Sequence, residues 1–235
     1  MHKIINKIKK VMTPLALREG LGGSLLFFIL HSSLFITLAS CSKDDGEDPN
    51  SEYYNWKSRN DTYFEEIYQK ATTEIEAGST RWMKIMSYSK NNAENHQNYI
   101  IVYKLDENEF VEQTSPMQSD SCTLSYRGNM MPSKSYNDID DIALPEEDQI
   151  RVGYQFDTMW YGPSFDAEYA TFTTMVPSSL VEGVTTALLH MHAKDRWRVY
   201  VPYTLGYKGS ETGSVQAYST LIFDIYMKSF KTKQK

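Results

Sequence analysis

His190 and His192, the run Asp138, Asp140, Asp141, and Cys122 are side chains that could ligate a metal, hold calcium or attack a substrate. Their spacing argues against each. Histidines two apart on a helix point to different faces and do not easily share a metal, and the chain has no Cys pair and no His-Glu-x-x-His run. The Asp run lacks the glycine and distal Glu of a calcium loop and reads as a solvated loop. Cys122 sits in the alternating stretch 121–126, with no base or second thiol beside it, and reads as a small core residue. No Gly-x-Ser-x-Gly elbow and no phosphate loop appear. What remains is a scattered set: Tyr126, Phe156-Asp157, Leu180-Val181-x-Gly183, Leu205-Gly206-Tyr207, and Ser219 to Asp224. Taken singly, Phe156, Phe223, Leu180 and Val181 would be core in almost any α+β domain, and Asp157 is more often a turn former. Tyr207, between Gly206 and Gly209, has the setting of a residue exposed to a ligand. Trp197 and Trp160 read as packing residues, with a peptide groove as the second reading for Trp160.

The elements that would position this set are legible by period. Trp56, Tyr63, Phe64, Ile67, Ala71 and Ile75 recur at helical spacing, with charged residues between them, so 52–78 reads as an amphipathic helix closed by Gly78. Such a helix must dock, either on the following domain or on a partner. Strands are expected at 82–88 and 98–103 within an N-terminal segment 79–120, then at 122–126, 151–156, 196–201 and 221–227. Residues 131–150, with Pro132 and Pro145, read as a long surface loop. A second helix is expected at 181–191. Many strands around one late helix imply an α+β fold with an antiparallel sheet.

The order and spacing of the scattered set resemble the FKBP-type peptidyl-prolyl isomerases. The family pattern of a strand ending Tyr-x-Gly is matched by Tyr126-Arg127-Gly128, and its Phe-Asp by Phe156-Asp157. Its Val-Ile-x-Gly-Trp is matched by Leu180-Val181-Glu182-Gly183-Val184, its Leu-Ala-Tyr-Gly by Leu205-Gly206-Tyr207-Lys208, and its last strand by Ser219 to Asp224 without change. The resemblance covers about residues 121–230. It implies a five- or six-stranded antiparallel sheet curled around the helix, in a domain over 121–235. The pocket between them would be lined by Tyr126, Phe156, Leu180, Val181 and Phe223. Tyr207 would offer its hydroxyl to the substrate carbonyl and Asp157 would sit at the rim. No cofactor or metal is implied, and the partners would be proline-containing polypeptides. The chain departs from the pattern at Val184, where the family has the Trp of the pocket floor, at Lys208, and at Gln216-Ala217. A smaller floor implies weak binding of macrolides that stack on it. Phe172 or Met175 would fill a further aromatic position before the helix. The resemblance thus implies isomerase activity, with a degenerate domain that binds peptide or a partner as the alternative, and a structural subunit held by the first helix as a third.

Leu38-Ala39-Ser40-Cys41 closes an apolar run (25–38) behind Lys3, Lys7, Lys9, Lys10 and Arg18. This resembles a bacterial lipoprotein signal, which implies cleavage of 1–40 and acylation of Cys41. The run is fourteen residues long and includes His31, Ser32 and Ser33, which is short for a span that needs about 20, and an uncleaved anchor is the alternative. The acidic tether 41–51 resembles the surface-export signal of some Gram-negative lipoproteins, which implies a cell-envelope protein of the outer membrane, with surface exposure as the further reading. The formal charge of −6 over 235 residues includes a net basic signal segment, so the remainder is more acidic still. That argues against nucleic acid as a partner. Seventeen Tyr and four Trp suit an aromatic-lined groove but equally a core.

Overall fold

The computed structural model describes residues 48–106 and 114–233. Cys41, the signal segment and most of the tether lie outside them.

The main chain runs α1 (Trp56–Glu76), β1 (Trp82–Met86), β2 (Tyr99–Lys104), β3 (Ser121–Met130), β4 (Asp138–Ile139), β5 (Arg151–Val152), β6 (Gln155–Thr158), β7 (Thr173–Met175), α2 (Glu182–Leu188), β8 (Arg196–Val201) and β9 (Leu221–Lys231). Seven strands form one antiparallel sheet in the order β1-β2-β8-β9-β3-β6. The long β3 pairs β9 on one side. On its other side it pairs β7 at Cys122–Leu124 and β6 at Arg127–Asn129. The α+β architecture read from the sequence is present. The sheet is larger than expected because β1 and β2, read as a separate N-terminal segment, join it through β2 and β8.

Alternation along the strands divides the sheet into two unlike faces. One face carries Ile100, Val102, Tyr126, Val199, Val201, Phe223 and Ile225, and these form one core cluster with Val184, Ala187 and Leu188 of α2. The other face carries Ile101, Tyr103, Tyr200 and Ile222, which cluster with Phe64, Tyr68 and Ala71 of α1. The first helix therefore docks on its own domain. Its buried residues Trp56, Asn60, Phe64, Tyr68 and Ala71 fall at steps of three and four, a single stripe. Gly78, at φ 91°, ends the turn after it.

Three expectations are corrected. The helix expected at 181–191 closes at Leu188, because the next residues tighten the turn: the His190 and Met191 amides both donate to Ala187. The strand expected at 151–156 is two strands in two sheets. They break at Gly153, where a Cβ would stand 2.0 Å from the Met131 carbonyl oxygen, so only glycine fits. The Asp run in 131–150 is not solvated as a whole. Asp140 pairs with Arg198, and Asp141, 4% exposed, lies 2.9 Å from Arg196. Arg196 also binds Asp224 at 2.6 Å. Arg127 donates to the carbonyls of Asp140 and Gly162 and lies 4.6 Å from the Trp160 ring. The part of the second face that α1 leaves uncovered is thus charged, and the 131–150 loop neutralises it.

Gly183 shows packing overriding helix propensity. Alanine would gain roughly 1 kcal/mol from propensity. A Cβ here, however, would stand 2.4 Å from Val201 Cγ1 on the facing strand, and overpacking costs typically 1–3 kcal/mol. Gly183→Ala is therefore expected to lower the urea midpoint. An unchanged or raised midpoint would show that α2 shifts freely on the sheet.

Candidate active site

The site begins with β3. Tyr126 stands at its middle, paired with Ile225 of β9 and 1% exposed. Two positions on, Gly128 pairs with Asp157 of β6. That register brings the Tyr126 hydroxyl to Asp157, where it donates a hydrogen bond of 2.7 Å to Oδ2. Oδ1 accepts the Thr158 amide at 2.9 Å. Phe156 lies over Gly128, whose missing Cβ makes the room: one added there would sit 2.6 Å from the ring. The Phe156 ring meets Phe223 edge-on at 5.7 Å and 85°, and Tyr126 meets Phe223 at 6.4 Å.

The opposite wall comes from the approach to α2. A 3₁₀ turn at Pro177–Ser179 feeds the extended residues Leu180 and Val181 into the helix. The Thr185 hydroxyl donates to the Pro177 carbonyl at 2.6 Å and ties that turn to the helix. Leu180, Val181 and Val184 are buried in the same cluster as Tyr126 and Phe223, and Phe156 and Tyr207 pack against it half-buried. Val184 is 1% exposed. The eight residues singled out from the sequence are therefore brought together, seven in or against one apolar cluster and Asp157 bonded to it through Tyr126. Of the two candidates before the helix, Met175 packs against this cluster, while Phe172 lies on the other face against Tyr226 and Lys228. Trp160, 4% exposed, packs edge-on to Phe165 and under Arg127.

The electrostatics favour neutral, protonated hydroxyls. Burial first, then the negative charge of Asp157, pushes the Tyr126 hydroxyl far above the ordinary phenol range. The same two causes raise Tyr207. Both phenols thus feel the one carboxylate, and both stay donors at neutral pH. Cys122 is fully buried, and burial first, then Asp120, pushes its thiol up to about 12, which favours the protonated form. The arrangement offers desolvation by an aromatic and aliphatic surface, with hydroxyl donors at its edge.

This combination of sheet, crossing helix and Tyr–Asp pair is the one that the sequence resemblance to FKBP-type domains implies. Residues 141–228 match the family model of FKBP-type peptidyl-prolyl cis-trans isomerase. A curated relative, the macrophage infectivity potentiator of Trypanosoma cruzi, is 38% identical over 73 residues. The match covers 30% of this chain and 37% of that protein, so the chain aligns with little more than a third of its relative's length. Among solved structures, a peptidyl-prolyl cis-trans isomerase from Pseudomonas syringae is 14% identical at a TM-score of 0.46, covering 79% of this chain and all of that one. FkpA from Escherichia coli is 15% identical at a TM-score of 0.42, covering 75% and 64%.

Proposed function

We propose that the protein is a peptidyl-prolyl cis-trans isomerase, held at the outer membrane by a lipid on Cys41. The observation that carries the catalytic reading is the Tyr126–Asp157 hydrogen bond beside Tyr207, set in an apolar aromatic cluster. Amide resonance gives the peptide bond a rotation barrier of about 18–20 kcal/mol, and Xaa–Pro bonds populate both isomers and exchange slowly. Resonance separates charge, so water stabilises the planar form. A surface built from Phe156, Val181, Val184 and Phe223 removes that water and favours the twisted bond. The Tyr207 hydroxyl holds the carbonyl while the bond turns, and Asp157 fixes the polar rim through Tyr126. The work is differential binding of the twisted state, without proton transfer.

Val184, where the family has a tryptophan, favours a second reading: a domain that binds Xaa–Pro peptide with little turnover. A protease-coupled assay on residues 42–235 separates the two. The first reading expects an isomerisation rate that rises linearly with protein concentration. Peptide binding with no change in that rate would leave only the second.

The anchoring reading rests on the Leu38-Ala39-Ser40-Cys41 site behind its basic and apolar segments. Several buried acyl chains, at about 0.8 kcal/mol per CH₂, suffice for stable attachment. Cys41→Ala is expected to abolish palmitate labelling and either release the protein from the membrane fraction or leave the signal uncleaved. Labelling that persists in the variant would contradict lipidation at this residue.

A further inference from the structure

We infer that Trp56 and Asn60 of α1 are positioning residues for the loop that carries Tyr207; this rests on the isomerase reading of the site. The loop runs from the 3₁₀ turn at Tyr203–Leu205 to the start of β9. It closes on itself where the Tyr218 amide donates to the Lys208 carbonyl at 2.7 Å, with both residues in the left-handed region at φ 63° and 59°. Two non-glycine residues held there need surroundings that enforce them.

The surroundings are the first two turns of α1. Trp56 Nε1 donates to Ser219 Oγ at 2.9 Å, and Ser219 in turn points at Met130 Sδ. The Asn60 side chain, fully buried, accepts the Thr220 amide at 2.6 Å and donates to the Trp56 carbonyl at 2.8 Å. Asn60 thereby ties the helix backbone to the residue that ends the loop, and Trp56 ties the residue before it. Lys57, between them, lies 5.2 and 6.0 Å from the rings of Tyr203 and Tyr218 at the two ends of the loop. An asparagine at this depth is costly unless both its polar ends are used, and both are. The helix that follows the tether therefore sets the position of the loop on which the substrate-facing hydroxyl rides.

Two readouts on the full chain test this. The first is amide exchange at Tyr218, which closes the loop, compared with Phe223 in the middle of β9. Asn60→Ala should speed exchange at Tyr218 about tenfold more than at Phe223, as expected for local opening; equal acceleration at both, or none, overturns the clamp. The second is a double-mutant cycle on kcat/KM for an Xaa–Pro peptide. Asn60→Ala alone should lower kcat/KM about fivefold, yet add less than about twofold on top of Tyr207→Phe, because the two act through one group. An equal loss in both backgrounds overturns positioning through Tyr207. Should Asn60→Ala not fold, Trp56→Phe, which keeps an aromatic ring and removes the N–H donor, carries the same two criteria. A wild-type chain without isomerase activity would sink the functional reading alone, and amide exchange would still decide the clamp.

Discussion

Arg196→Ala should destabilise the fold by about 3–5 kcal/mol, the usual cost of removing one partner from a buried ion pair. Arg196 is 5% exposed and binds Asp141 at 2.9 Å and Asp224 at 2.6 Å, two carboxylates on different elements. Burial works against the guanidinium's charge, but Asp224 and then Asp141 hold it firmly ionised. Without it, both acids remain in a poorly solvated site. The loss should appear as a melting temperature lower by roughly 10 °C for a domain of this size. The pH dependence has a definite sign. Burial alone would raise the Asp141 pKa, but hydrogen bonds from Arg196 and the amides of Ala143 and Phe165 hold it below the ordinary value. A depressed carboxylate contributes stability that is present above its unfolded pKa, about 3.9, and is lost as pH falls through the folded value. Wild type should therefore hold that increment down to about pH 4 and lose it below, while Arg196→Ala should lack it at neutral pH. A change under about 1 kcal/mol would mean that the charges on this face are solvated.

Tyr207→Phe should lower kcat/KM for an Xaa–Pro peptide by about tenfold, the worth of one hydrogen bond to the twisting carbonyl. The melting temperature should barely change, since the ring is kept. Tyr207 packs half-buried against the cluster that holds Phe223 and Val181, and burial and Asp157 keep its hydroxyl protonated above the ordinary phenol value. The wild-type rate should accordingly show no alkaline fall up to about pH 10. A rate that drops near pH 9, or full activity in Tyr207→Phe, would remove the hydroxyl from the mechanism.

The residues gathered at the site were legible because each sits in a short ordered motif, and strand alternation then fixed which of them share a face. Tyr126 and Phe223 are the plain case: β3 and β9 pair in the register that turns both toward α2. The helix stripe from Trp56 to Ala71 was equally readable, since periodicity reports burial directly. What it buries against was not, because docking between distant segments leaves no local pattern. Asn60 could have been noticed as a polar residue on an apolar stripe. The Asp140 and Asp141 pairings were misread for a related reason: a polar run looks solvated unless its partners, Arg198 and Arg196, are known to lie beneath it. The break between β5 and β6 depends on Gly153 passing the Met131 carbonyl, a contact between segments distant in sequence that composition cannot reveal.

The central claim is that this aromatic cluster turns Xaa–Pro bonds. The most direct test is magnetisation exchange between the cis and trans proline signals of a short Xaa–Pro peptide, with residues 42–235 present in catalytic amount. The account predicts exchange faster than in peptide alone, rising in proportion to protein and reduced about tenfold by Tyr207→Phe. Exchange that stays at the uncatalysed rate at every protein concentration, while the peptide signals broaden from binding, would contradict it.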